Sequence, residues 1–172
     1  MEWDELASVK KGDIGERIVD EWLKNRGMVI YTPKTTGVHP FDRLCAKKDK
    51  KYVCIVEVKT KAARNHYPDT GINIRHYTEY KYIKDKYGID IWLFFVDEYK
   101  KKVYGQEMGA LLKFHMQIVN GKRNYWPKFD KNIVYFHLNN MTNIADLTGD
   151  DARMLKELSR RSYEYKEEEV AA

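Results

Sequence analysis

The amino-acid sequence predicts an α/β domain in which helices flank a mixed central β-sheet. Three features carry this prediction: an amphipathic helical segment near the start, two strand-like segments around the polar turn KKDKK, and the nearly continuous apolar run IDIWLFFV. No repeat, low-complexity stretch or Pro/Gly/Ser-rich linker divides the chain. We therefore expect a single domain over residues 1–172, with a core over about 12–106 and a C-terminal extension over about 107–172.

The first helix is predicted over residues 13–26, with Gly27 as its stop signal. At about 100° per residue, its apolar side chains fall on one face about 180° wide. They are Ile14, Ile18, Val19, Trp22 and Leu23. Gly15 lies within that face, where the missing side chain allows a close approach to a sheet. Glu16 lies just beyond the edge of the face, so its carboxylate can reach over the rim of that sheet.

Three short strands are predicted next, over residues 28–31, 41–46 and 52–59. The last two flank KKDKK and are expected to pair as an antiparallel hairpin. A symmetric hairpin about that turn sets Cys45 opposite Cys54. Two cysteines are too few for a disulfide framework or a four-cysteine metal site. A cross-strand bridge between them is geometrically conceivable, but in a cytoplasmic protein we expect two reduced thiols in the core.

A second helix is predicted over residues 75–87 and ends at Gly88. The strand that follows, over 89–96, is nearly all apolar and is therefore expected to be buried on both faces, with a strand over 102–106 paired back on it. The remaining predicted elements are a short helix over 107–115, strands over 116–119 and 123–126 around an Asn-Gly turn, a strand over 133–137, and a charged helix over 150–168.

The composition is that of a folded protein, with 43% hydrophobic and 33% charged residues, and it excludes a disordered chain. No apolar run reaches the roughly 18 residues that a membrane span requires. The first residues, MEWDELASVKKGD, lack the apolar core of a secretion signal. We therefore expect a cytoplasmic protein without membrane association.

Positive charge is concentrated between Lys34 and Arg64, where nine Lys or Arg residues accompany three acids, a net +6 in a chain of net +5. Such a segment suits a polyanion such as nucleic acid, although a solvated lysine-rich hairpin explains the charge equally well. The candidate nucleic-acid contacts are Lys47, Lys48, Lys50, Lys51, Lys61 and Arg64 from this segment, and Arg75 from the second helix.

Two charged residues interrupt the otherwise apolar strand VCIVEVKT. Glu57 and Lys59 are two positions apart and so share a face, where charges are rarely buried unless they are paired or bind a metal. The symmetric hairpin sets Asp42 opposite Glu57, with Cβ atoms about 4.5–5.5 Å apart, at which like charges repel. A Mg²⁺ or Mn²⁺ ion resolves this conflict, because hard divalent cations take carboxylate oxygens, water and substrate phosphate as ligands. A register slip of one residue would turn Asp42 to the other face.

The arrangement of HPFD, which begins at His39 and ends at Asp42, EVK at residues 57–59, and a preceding helix bearing Glu16 resembles the PD-(D/E)XK nuclease superfamily. The resemblance covers about residues 12–96. Within it, the GERIVDEWLKNRG helix followed by short strands is most similar to archaeal-type Holliday junction resolvases and related small nucleases. One departure is that a phenylalanine separates the proline from the aspartate of the motif.

The resemblance implies a restriction-endonuclease-like fold, with Asp42 and Glu57 as ligands of Mg²⁺ or Mn²⁺ and Glu16 as an auxiliary ligand, directly or through water. It implies that Lys59 orients or deprotonates water and steadies charge on the phosphate. The implied activity is metal-dependent endonucleolytic hydrolysis of DNA, in repair, recombination or restriction. The implied partner is double-stranded or branched DNA. A homodimer is compatible with this activity, and the sequence leaves the oligomeric state open.

Two other functions remain open at the level of sequence: an RNA-cleaving enzyme of the same fold, and an inactive nucleic-acid-binding or assembly protein. The presence of Asp42, Glu57 and Lys59 together argues against the second, because binding alone requires none of them. His66 and Tyr67 in KAARNHYPDTG are candidates for the substrate entrance. The turn formers in that segment favour an ordinary loop at least as strongly.

Overall fold

The structure is a computed structural model, and its elements confirm the predicted α/β class, a mixed central sheet flanked by helices. It describes residues 6–34, 40–49, 51–61, 64 and 67–159. Four parts of the sequence predictions lie outside these residues: His39 of HPFD, Lys50, His66 and the end of the predicted C-terminal helix beyond 159.

The described residues form four helices, one 3-10 turn and eleven strands. In chain order these are α1 (Ala7–Asn25), β1 (Met28–Tyr31), β2 (Arg43–Lys47), β3 (Val53–Thr60), β4 (Asp69–Asn73), α2 (Ile74–Tyr87), β5 (Asp90–Asp97), β6 (Lys102–Glu107), α3 (Met108–Leu111), β7 (His115–Val119), β8 (Lys122–Trp126), β9 (Lys128–Asp130), β10 (Ile133–His137), the 3-10 turn (Leu138–Asn140), β11 (Thr142–Asp146) and the helical residues 149–159, here α4.

The central sheet has six strands in the order β1-β2-β3-β5-β6-β11. It is mixed because β3 pairs antiparallel with β2 and parallel with β5. Beside it lie a three-stranded sheet, β4-β10-β9, and the two-stranded hairpin β7-β8. No helix among the described residues is both long and apolar enough to cross a membrane.

The predicted register of the β2-β3 hairpin is confirmed. Leu44 pairs with Ile55, and Cys45 pairs with Cys54. Both cysteines are buried and free, as expected. The hydrophobic pattern sets the register, because a shift of one residue would move every core side chain of these strands to the opposite face.

Apolar side chains cover both faces of the central sheet. On one face, the side chains of α1 pack on Val56 and Phe94. On the other, α2 and the second sheet pack on Ile55 and Leu93. The strand β5 therefore contributes to both cores, as its continuous apolar sequence predicts.

Gly15 explains how closely α1 approaches the sheet. A Cβ atom at this position would collide with Oγ1 of Thr60 on β3 and would lie 3.2 Å from its Cβ. The predicted close approach of α1 to the sheet is confirmed.

The helix α1 begins earlier than predicted, at Ala7 rather than at residue 13. The added turns are held by a tertiary contact, because Nζ of Lys11 donates to Oε1 of Glu98 at 2.9 Å.

The end of the segment KAARNHYPDTG, which was predicted as a loop after β3, forms the start of the strand β4. Turn-forming residues occupy β4, yet Asp69 is 0% exposed and the strand pairs antiparallel with β10. Gly71 is needed there for packing and not for a turn, because a Cβ atom would collide with the carbonyl oxygen of Val134. Tertiary pairing thus overrides local turn propensity.

The C-terminal extension differs from prediction in three further places. The helix predicted over 107–115 is confined to α3, because Glu107 caps it through the amides of Gly109 and Ala110 and β7 already begins at His115. The strands β9 and β11 were not predicted. The latter is anchored by Trp22, whose Nε1 donates to the carbonyl oxygen of Ile144 at 3.1 Å.

Candidate active site

Asp42, Glu57 and Lys59 meet at one end of the central sheet. Asp42 immediately precedes β2, and the other two lie near the end of the antiparallel neighbour β3. The carboxylate of Asp42 reaches β3, where its Oδ2 accepts a hydrogen bond from the backbone N–H of Val58 at 2.7 Å. The structure therefore brings the three predicted catalytic residues together at the register expected for the hairpin.

The carboxylate of Glu57 is buried and held from two directions. Its side chain is 3% exposed, and its Oε1 forms an ion pair with Nζ of Lys59. From α2, the hydroxyl of Tyr80 donates a hydrogen bond to Oε2. Nδ1 of His76, one helical turn earlier, lies 3.6 Å from Oε1, and it is buried without a hydrogen-bond partner among the described residues.

The two carboxylates differ in their electrostatic environment. Burial would raise the pKa of Glu57, but His76, Lys59 and Tyr80 together outweigh burial and lower it. Burial and the negative charge of Glu57 raise the pKa of Asp42 to about 7, against the hydrogen bond from Val58. Glu57 therefore holds its charge firmly, whereas ionising Asp42 beside it is costly.

Glu16 lies next to this pair but binds a different partner. Its Oε2 is 2.8 Å from Nη2 of Arg43, and Oδ1 of Asp20 is 3.0 Å from Nε of the same guanidinium. Arg43 is buried, and its Nη1 also donates to the backbone carbonyl oxygen of Asp42 at 2.8 Å. The charge of Glu16 still contributes to the raised pKa of Asp42. Arg43 thus links α1 to the start of β2.

The donor set at this end of the sheet fits a cation that keeps water and phosphate among its ligands. Within the part of the chain that the structure describes, no group of three or more His, Cys, Asp or Glu side chains is arranged to hold a metal, so these residues form no all-protein cage. Mg²⁺, however, is commonly held by one or two carboxylates, with water and substrate phosphate completing an octahedron. Asp42 and Glu57 match that donor set, and burial together with the negative charge of Glu57 raises the pKa of Asp42 to about 7.

The candidate nucleic-acid contacts fall in three separate places. Lys47, Lys48 and Lys51 are exposed at the turn end of the β2-β3 hairpin, the opposite end from Glu57. At about 3.3 Å per residue, the four steps along the strand from Val53 to Glu57 span roughly 13 Å. These lysines therefore lie away from the carboxylate pair.

Lys61 and Arg64 lie at the same end of β3 as the carboxylate pair. Burial and the charge of Lys59 lower the pKa of Lys61 to about 8. The guanidinium of Arg64 binds both carboxylate oxygens of Asp69, each at 2.7 Å. The third place is the start of α2, where Arg75 is exposed and its Nε lies 3.2 Å from Oε1 of Glu79.

Sequence reasoning did not assign Tyr80, His76 or Arg43 to the site. A signal for the first two was present, since both fall on the inward face of α2 and both carry a polar group. A signal for Arg43 was also present, because Glu16 and Asp20 are one turn apart on α1 and a cation between them would relieve their repulsion. What the sequence does not show is which strand each helix covers.

The fold and the site together describe an α/β domain with two carboxylates and a lysine at one end of its mixed central sheet. The chain is similar to the solved structure of Hjc, a Holliday junction resolvase from the archaeal hyperthermophile Archaeoglobus fulgidus, with a TM-score of 0.51 and 11% sequence identity. The similarity covers 78% of this chain and 97% of the resolvase. The chain therefore shares the fold of this resolvase, which confirms the predicted fold class. Comparison with protein families and with curated proteins gives no match.

Proposed function

We propose that this protein is a divalent-metal-dependent endonuclease that hydrolyses phosphodiester bonds in DNA, in repair, recombination or restriction. The observation that carries the proposal is the convergence of Asp42, Glu57 and Lys59 on a fold shared with a Holliday junction resolvase. Asp42 and Glu57 repel each other when both are ionised, and a bound cation would offset that repulsion.

Asp42 and Glu57 would hold a Mg²⁺ or Mn²⁺ ion, with Glu16 as an auxiliary ligand once it leaves Arg43. When bound, this cation supplies Lewis acidity to a phosphoryl oxygen and lowers the pKa of a water molecule. The protein's own groups set the geometry beforehand. The N–H of Val58 orients Asp42, and the hydroxyl of Tyr80 orients Glu57.

Lys59 supplies positive charge where the phosphate arrives. Its side chain is 30% exposed, whereas that of Glu57 is 3% exposed, so its ammonium lies between the buried carboxylate and solvent. A compact ammonium in this position stabilises the negative charge that develops on the phosphoryl oxygens during attack by water. It also orients that water as the nucleophile. Cation binding by Glu57 would free Lys59 for this role.

The test is a cleavage assay on plasmid, single-stranded and branched DNA and on a matched RNA, with Mg²⁺, Mn²⁺ or EDTA. We expect cleavage of DNA that requires the cation and is lost in Asp42→Asn and Lys59→Ala. Matched controls are Asp85→Asn and Lys81→Ala, an exposed ion pair on α2. They should retain activity. Cleavage by either site variant at the wild-type rate would refute the assignment of the catalytic residues. Preferential cleavage of RNA would show that the substrate is RNA and not DNA. Light scattering on the same samples reports whether the enzyme is a homodimer.

A further inference from the structure

The hairpin β7-β8 has one exposed apolar face. Met116 pairs with Tyr125, and Ile118 pairs with Arg123, all four on the side turned to solvent. Just before the hairpin, Phe114 is 76% exposed, and its ring stacks on that of Tyr125 at 4.9 Å and 13°. Burying this surface against a ligand would be favourable, because exposed aromatic and aliphatic area is removed from water.

The charge of the same hairpin points to the type of ligand. Residues 113–126 contain three cations, Lys113, Lys122 and Arg123, and no acidic residue. A second copy of this chain placed face to face on the hairpin would bring its own cations against these, because a twofold interface opposes like surfaces. A ligand that offers both apolar faces and negative charge complements the hairpin instead.

The turn of the hairpin also forms a wall of a cleft of about 490 Å³. Ile118 belongs to both the exposed face and the cleft, whose lining also includes Arg64, Tyr67 and Lys100. The guanidinium of Arg64 is held in place by Asp69, which is 0% exposed. The same guanidinium lies 3.7 Å from the centre of the Tyr135 ring. None of the described residues that line the cleft is acidic.

The cleft residue Arg64 follows Lys59 of the candidate active site by five positions along the chain. Lys59 is two residues before Lys61, and Lys61 lies within electrostatic range of both Lys59 and Asp69. Asp69 in turn binds Arg64 at the wall of the cleft. Lys59, Lys61 and Arg64 thus connect the end of β3, where the carboxylate pair lies, to the wall of the cleft through the sequence and through Asp69.

We propose that the cleft and the exposed face of the β7-β8 hairpin bind a single-stranded segment of DNA adjacent to the scissile phosphate. This assignment rests on the proposed nuclease function and names the form of DNA that the enzyme takes. Phosphates lie along Arg64 and Lys100, and unpaired bases pack on Ile118, Phe114 and Tyr125.

Unpaired DNA fits this surface better than a duplex. A duplex presents sugar and phosphate outward and stacks its bases inside, so it offers no apolar faces to Ile118 or Phe114. Proteins that bind single strands combine a positive groove for the backbone with aromatic side chains on which bases stack. The described hairpin and cleft supply both parts, on adjoining surfaces.

The test measures binding in EDTA, so that cleavage does not intervene, with a fluorescent single-stranded oligonucleotide and a duplex of the same sequence. Phe114→Ser and Ile118→Ser should weaken single-strand affinity by about five-fold or more and leave duplex affinity within about two-fold. Lys100→Ser should weaken single-strand binding and reduce its salt dependence. Matched controls are Tyr82→Ser, an exposed aromatic on α2, and Lys101→Ser, the next residue in the same turn, which lies outside the cleft lining. Both controls should bind as wild type does.

Equal losses for single strand and duplex, or no loss in any hairpin variant, would overturn the proposal. A hairpin variant that changes the molecular mass in solution without changing DNA affinity would also overturn it, in favour of a protein interface. Wild-type cleavage with Mg²⁺ is measured in parallel. Intact cleavage with unchanged single-strand affinity refutes the hairpin assignment alone, whereas hairpin-dependent binding without any cleavage refutes the proposed nuclease function alone.

Discussion

Tyr80 on the second helix donates its hydroxyl hydrogen bond to Oε2 of Glu57 on the central strand. Both residues are buried, Tyr80 at 1% and Glu57 at 2% exposure of the whole residue. The tyrosine therefore gives an ionised carboxylate a fixed partner inside an apolar layer. The other carboxylate oxygen, Oε1, pairs with Lys59 and is the one that can exchange this partner for another. The two contacts together fix the orientation of the Glu57 carboxylate.

Tyr80→Phe removes this hydrogen bond and keeps the ring in the core. We expect cation affinity or kcat/KM to fall by roughly 10- to 100-fold, the usual cost of losing a group that orients a ligand. Tyr77→Phe, on the same helix, is the control and should change neither. A titration of cleavage rate against Mn²⁺ separates the two quantities. Unchanged cleavage rate and cation affinity in Tyr80→Phe would show that the hydrogen bond from Tyr80 does not contribute to positioning Glu57.

The stability of the metal-free protein should depend on the ionisation of Asp42. Its pKa rises from 3.8 to about 7 on folding, so its contribution is favourable below pH 4 and is lost as the pH rises to about 7. Relative to wild type, Asp42→Asn should therefore gain stability between pH 5 and pH 8. Urea melts in EDTA measure the difference at each pH, with the exposed Asp85→Asn as control for the removal of a charge. A difference that does not change with pH would contradict the raised pKa.

Gly15 should tolerate no side chain. Gly15→Ala places a Cβ against Thr60 and should destabilise the protein by about 1–3 kcal/mol, as overpacking does. Gly12→Ala, three residues earlier in the same helix, meets nothing within 4 Å and should stabilise by up to about 1 kcal/mol through helix propensity. Chemical denaturation of the two variants decides the point. Equal effects would mean that α1 packs less closely on β3 than described.

The lysines around the β2-β3 turn should affect binding and not chemistry. Replacing Lys47, Lys48, Lys50 and Lys51 by Ser should reduce the salt dependence of DNA affinity by about 0.9 in log–log slope for each phosphate that these lysines neutralise in the wild type. The turn lies at the opposite end of the hairpin from Glu57, so kcat at saturating DNA should stay at the wild-type value. An unchanged slope would show that the turn is a solvated surface and that DNA binds elsewhere.

The sequence predicted the part of the site that lies within one hairpin. The alternation of VCIVEVKT placed Glu57 and Lys59 on a common face, and the symmetric turn set the register that brings Asp42 beside them. These are local relations, set by the period of a strand and the length of a turn. The same reasoning predicted the close approach of Gly15.

The rest of the site depends on how distant elements pack. Tyr80 reaches Glu57 only because α2 lies across that face of the sheet, and Arg43 is shared by Glu16 and Asp20 only because α1 covers the other side. Periodicity shows which face of a helix is buried but not against which strand. In β4, the close packing of Gly71 on Val134 outweighs the turn propensity of the segment.

The most direct test of the proposed cation site is the melting temperature of the protein, measured once in EDTA and once with Mn²⁺. If Asp42 and Glu57 form a cation site, millimolar Mn²⁺ should raise the wild-type melting temperature by mass action, because the ion binds the folded chain and not the unfolded one. Asp42→Asn should be at least as stable as wild type in EDTA at pH 8, and it should lose most of the response to Mn²⁺. A wild type whose melting temperature is indifferent to Mn²⁺, together with an Asp42→Asn variant that is less stable than wild type, would contradict the account.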